Sequence, residues 1–221
     1  MRNPIPTEHN RIALAAVAGM LGVMFVGAIL PTPLYPLYRE AFGFSAVTLT
    51  LIYATYVLGN LAALLFFGPL SDQIGRRATS LPAIVVGIAS TAVFAAAQGT
   101  AWLFAARGLS GFSTGLASGA ATAWIAELYA GGRSGGAARI ASGANFFGCA
   151  AGPLMGGLFA QFAPAPLRLG YFAYLVLLCG AAGAIAAQRE TVAAPKPVAD
   201  STCGRASACR MASGCNSCRR R

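Results

Sequence analysis

Long apolar runs alternate with short clusters of charge, Gly and Pro along the whole first part of the chain. Divided by that punctuation, they predict six helical spans over residues 12–31, 47–67, 78–97, 101–126, 139–163 and 168–187. Each run approaches the roughly 20 residues that a helix rising 1.5 Å per residue needs to cross a bilayer core about 30 Å thick. The reading divides the chain into an N-terminal segment (1–11), a six-helix transmembrane bundle (12–187) and a tail (188–221).

Composition supports membrane residence. Of 221 residues 57% are hydrophobic and 10% charged, with a mean hydropathy of +0.64, where a soluble domain is about 25% charged. A water-soluble globule is excluded, and the length leaves room for six spans but not twelve. The 27 Gly lie mostly inside apolar runs, as membrane helices tolerate. Net charge is +10, split evenly: residues 1–200 carry 11 Lys+Arg against 6 Asp+Glu, and the last 21 residues carry 5 Arg and no acid.

The loop charges orient the bundle. Arg2, Arg11, Arg76, Arg77, Arg133, Arg139, Arg189 and Lys196 fall on one side, Arg39 and Arg168 on the other. The Lys/Arg excess marks the cytoplasmic side, so both termini are expected there, in a multi-pass protein of the cell inner (plasma) membrane. A secretory signal is the alternative for the first span, but the run is long for one and lacks a clear small-x-small cleavage site before Pro31.

Three strings carry candidate chemistry. After the second span comes Gly68-Pro-Leu70-Ser-Asp72-Gln-Ile-Gly75-Arg76-Arg77. Gly, Pro and the arginines suit a cytoplasmic turn, while Asp72 before an arginine pair suits a charge-assisted latch at a helix N-terminus. In the fourth span Arg107 lies about six residues, roughly 9 Å, from the outer end. Arginine at a membrane-helix centre costs about 2.5–3.5 kcal/mol on insertion scales, so it needs a partner, a wet cavity or a snorkelling route. In the fifth span Gly148, Gly152, Pro153, Gly156 and Gly157 combine a small-residue face with a helix-bending proline.

These strings resemble motifs of the major facilitator superfamily. Gly68 to Arg77 matches motif A, G-x-L-x-D-x-x-G-R-R/K, at every defining position; Arg107-Gly-Leu-Ser-Gly111 is similar to motif B; and Gly148 to Gly157 matches motif C, G-x-x-x-G-P-x-x-G-G. The resemblance covers residues 12–187 and implies an all-α membrane protein forming one six-helix bundle, the N-terminal half of an exporter. It implies that Gly68, Leu70, Asp72, Gly75, Arg76 and Arg77 gate, with Asp72, Arg76, Glu127 and Arg133 in one charge cluster. It also implies that Arg107 takes part in proton coupling and that the motif C residues mark an exporter. Export of a small molecule by proton antiport through alternating access is then expected, with a second six-helix bundle or a homodimer as partner. A non-transporting six-helix scaffold or assembly subunit is the alternative.

Further residues are weighed on their own chemistry. Tyr53, Tyr56 and Asn60 share one face of the second span, and Asn145 interrupts the fifth. They suit either a substrate path or interhelical hydrogen bonds. Pro31, Pro33 and Pro36 with Tyr35 and Tyr38 read as the outer loop after span one. Gly111, Gly115 and Gly119 form a close-packing face. Gly111-x-Ser113-x-Gly115 also fits a serine-hydrolase pattern, rejected because it lies inside a helix and His9, the sole histidine, precedes the first span. No enzyme activity, cofactor, metal or nucleic-acid partner is expected. Within the tail, residues 201–221 hold Cys203, Cys209, Cys215, Cys218 and no Leu, Ile, Val or Phe. It reads as disordered and as a product of a reading-frame shift near residue 200 rather than a zinc site.

Overall fold

The computed structural model describes residues 8–68, 74–129 and 134–188, and among these residues seven α-helices and one 3₁₀ turn are bounded. They are α1 (Glu8–Ile29), the 3₁₀ turn Thr32–Leu34, α2 (Tyr35–Phe42), α3 (Ala46–Phe67), α4 (Arg76–Ala95), α5 (Thr100–Leu128), α6 (Ser134–Phe162) and α7 (Pro166–Ala186). No strand occurs among the described residues. The six expected spans are α1 and α3 to α7, with ends shifted by a few residues. Leu70, Asp72, Arg133, Lys196 and the four tail cysteines lie outside the described residues.

Four stretches, 10–42, 46–67, 76–95 and 166–186, are long and apolar enough to cross a membrane. Helices α5 and α6, at 29 residues each, are long enough, but Gly, Ser, Thr and arginine dilute their hydropathy. Their polarity is turned inward in α5, where Arg107, Ser110, Ser113 and Thr114 are buried. Helix α5 is accordingly the central element, packed on α1, α3, α4 and α6.

The expected outer loop after span one is corrected. Pro31 and Pro33 cannot donate a backbone hydrogen bond, so α1 stops, but the chain continues as the 3₁₀ turn and α2 rather than looping into solvent. Leu34, Tyr35 and Tyr38 are each at most 2% exposed. The Tyr38 hydroxyl donates to the Phe94 carbonyl at 3.3 Å. Burying two tyrosine rings against α3 and α4 outweighs the prolines' bias toward a loop. Gly43, at φ +67°, then caps α2 in the left-handed conformation.

Two glycine faces bring helices close. A Cβ on Gly115 would lie 2.6 Å from the Asn60 carbonyl oxygen of α3, and one on Gly111 would press on the Tyr56 carbonyl. On α6, a Cβ on Gly152 would lie 2.8 Å from the Val26 carbonyl oxygen, while Gly148 and Gly156 lie nearer still to those of Gly22 and Leu30. Three α6 glycines four residues apart thus meet three carbonyls four residues apart, two in α1 and that of Leu30 just past its end, the small-residue geometry of membrane helix pairs. Gly157 faces open space and takes no part. Helix α6 runs unbroken through Pro153.

Candidate functional site

The site is built around Arg107, and five elements meet there. Its side chain is 1% exposed, which overturns the snorkelling route. Nη1 donates to the Ala28 carbonyl at 2.6 Å and Nε donates to the Tyr35 hydroxyl. The rings of Tyr35 (5.2 Å), Tyr56 (5.5 Å), Tyr53 (5.6 Å) and Phe94 (5.8 Å) lie around its Cζ.

The local sequence explains why Ala28 is available. A helix leaves its last four carbonyls without intrahelical partners, and Ala28 is the penultimate residue of α1, just before Pro31 and Pro33. The negative end of the α1 dipole therefore points at the guanidinium. Aromatic faces add cation–π attraction worth about 0.5–2 kcal/mol each when desolvated. Counter-charge comes from backbone and rings, since no carboxylate pairs with Arg107 among the described residues. One donor is left over: Nη2 is buried without a hydrogen-bond partner.

A second polar centre joins α4 to the end of α5. Arg76 donates to Glu127 Oε1 from Nε at 2.9 Å and from Nη2 at 2.6 Å. The Arg76 side chain is 8% exposed and that of Glu127 is 37% exposed. Arg76 opens α4 directly after Gly75, whose φ of +116° is open to glycine and strained for other residues. The motif's glycine is thus explained by backbone geometry. The Gly75 carbonyl accepts from the Thr79 hydroxyl at 2.9 Å. Of the expected charge cluster the structure brings Arg76 and Glu127 together; Asp72 and Arg133 fall outside the described residues.

The remaining candidates separate. Tyr53 and Tyr56 join the Arg107 cage. Asn60 packs further along α3, against Gly111 and Gly115, and the Asn145 side-chain oxygen accepts from Cys149 Sγ at 3.3 Å. Ser113 donates to the Ala83 carbonyl at 2.7 Å inside α5, a packing role with no nucleophilic geometry. Sequence reasoning missed Tyr35, Ala28 and Phe94. The prolines after span one held the available signal for Ala28, because they free carbonyls at the end of α1.

Apolar helices long enough to span a bilayer, packed through glycine faces around a buried cation, define a multi-pass α-helical membrane protein. The Major Facilitator Superfamily model matches residues 12–202, and the chain belongs to that superfamily, whose members are transporters rather than enzymes. An efflux pump of Gibberella fujikuroi is 35% identical over 124 residues, 56% of this chain and 22% of the pump. One of Fusarium oxysporum is equally identical over 124 residues, 21% of its length. The crystal structure of the human organic anion transporter MFSD10 (TETRAN) superposes with a TM-score of 0.67 at 24% identity, covering 83% of this chain and 49% of that one. The matched segment spans about a fifth of the length of the curated pumps and about half of the solved transporter.

Proposed function

We propose that this chain is one bundle of a secondary active exporter that moves a small molecule across the plasma membrane by alternating access. In this reading the outward step is coupled to proton entry, and both termini are cytoplasmic. The observation that carries the reading is the buried Arg107, held by a helix end and aromatic rings rather than by a carboxylate. A desolvated charge on the central helix of a membrane bundle is costly and marks a functional locus more readily than a packing one. Arg107 would then sense the coupling ion or the substrate, Asp72, Arg76 and Arg77 with Glu127 and Arg133 would latch the cytoplasmic end, and Gly152, Pro153 and Gly156 would shape the pivot between α6 and α1. The partner is a second six-helix bundle, or a second copy of this chain in a homodimer, because bundles of this fold work in pairs around a central site.

The test is accumulation of a panel of fluorescent small molecules in cells expressing the chain, with Asp72→Asn and Arg107→Ala as comparisons. Reduced accumulation that both substitutions abolish supports export. Equal accumulation with and without the chain, at verified membrane expression, refutes autonomous transport and favours a non-transporting scaffold.

A further inference from the structure

Arg107 presents one edge of its guanidinium in an unusual state. Arginine can grip a carboxylate side-on through Nε and Nη2, one oxygen to each, and in this protein Arg76 turns the same two atoms on a carboxylate, both donating to Glu127 Oε1. On Arg107 the same edge is half occupied, with Nε on the neutral Tyr35 hydroxyl and Nη2 without a partner although the residue is 1% exposed. A neutral hydroxyl supplies one acceptor where the edge offers two donors.

Two tyrosines of the Arg107 cage also line a cavity. A cavity of about 520 Å³ opens between α2 and α3, and Tyr35, Arg39, Glu40 and Tyr53 line it. That volume lies within the range of about 300–1,000 Å³ typical of small-molecule sites. Tyr35 and Tyr53 both line the cavity and lie around Arg107, whose Cζ is 5.2 and 5.6 Å from their ring centroids. Their rings meet edge to face at 5.1 Å. Arg39 and Glu40 carry opposite charges, so the cavity rim has little preference of its own.

We propose that the Nε–Nη2 edge of Arg107 binds the carboxylate of an organic acid with an aromatic or apolar body, admitted from this cavity when Tyr35 and Tyr53 part. The carboxylate replaces the Tyr35 hydroxyl on Nε and gives Nη2 its missing acceptor, while the body packs among Tyr53, Tyr56 and Phe94. Binding exchanges no covalent bond. The proposal deepens the export reading by naming a substrate class, and it rests on that reading only for the transport of the bound acid, not for its binding.

The test is isothermal titration of the full chain in lipid nanodiscs with 2-naphthoate and its uncharged isostere 2-naphthamide, each referenced to empty nanodiscs. The acid is expected to bind at least tenfold more tightly than the amide, about 1.4 kcal/mol. Arg107→Gln should lose that preference, and Arg107→Lys, which keeps the charge but not the two-donor edge, should retain part of it. Tyr35→Phe, which removes the competing hydroxyl and leaves the ring, should bind the acid at least as tightly as the unmodified chain. Equal affinity for acid and amide overturns the proposal without requiring any variant to fold. Undiminished acid binding by a helical Arg107→Gln chain, or loss of it in Tyr35→Phe, also overturns it. Acid binding without export would leave this site standing and refute the export reading; export of uncharged compounds with no acid binding would do the reverse.

Discussion

Replacing Gly156 by alanine is expected to unseat α6 from the turn that follows α1, whereas replacing its neighbour Gly157 is not. A Cβ at Gly156 would lie 2.7 Å from Pro33 Cγ and nearer still to the Leu30 carbonyl oxygen. Neither is the end of a flexible side chain, so α6 and the turn must part by about 0.7 Å or more to reach ordinary contact, and such overpacking typically costs about 1–3 kcal/mol. Separation also weakens the close Cα–H to carbonyl contacts, worth about 0.5–1 kcal/mol each. At Gly157 a Cβ meets nothing within 4 Å, and alanine gains up to about 1 kcal/mol of helix propensity. Both alanines gain that propensity, so the two variants should differ by the overpacking cost alone, about 1–3 kcal/mol, although the motif contains both glycines. Unfolding midpoints from SDS titration of the detergent-solubilised chain, followed by circular dichroism, measure the difference. Equal effects of the two alanines would refute the claim that the close approach of α6 to Leu30 and Pro33 explains the Gly156 position.

Three further outcomes are expected from the same geometry. Arg76→Gln and Glu127→Gln should be non-additive in a double-mutant cycle on stability, by about 1 kcal/mol after allowing for the partly exposed Glu127; strict additivity in that cycle would mean the pair contributes nothing. On the α3 face, Gly111→Ala should destabilise by about 1–3 kcal/mol, because its Cβ would press on the Tyr56 carbonyl. Gly119→Ala meets Leu64 Cδ2 at 3.7 Å and should be tolerated, so the same unfolding titration should rank the two. Ser113→Ala should lower stability by about 1 kcal/mol through loss of the hydrogen bond to the Ala83 carbonyl; any esterase activity of the parent chain that this change removes would contradict the packing role.

The sequence by itself determined the class, the number and approximate limits of the six long helices, and the polar residues that cannot face lipid. These rest on local quantities, since an apolar run of about 20 residues is helical in a bilayer whatever its neighbours are, to satisfy its own backbone. It also marked Arg107 and the glycine faces, because a mid-span charge and a four-residue small-residue repeat are visible in one dimension. What only the tertiary structure decided is which groups answer which. Tyr35 and Ala28 lie 72 and 79 positions before Arg107, and neither residue type announces a partner. Local reading placed Tyr35 in an outer loop because prolines favour loops; packing against Tyr53 of α3 and Arg107 of α5 kept it helical and buried. Gly156 and Gly157 are identical in sequence, yet one abuts a carbonyl and the other open space, since successive residues on a helix point about 100° apart. The orphaned Nη2 of Arg107 is likewise a property of the assembled cage, fixed by where α1 ends and where α2 turns its tyrosine inward.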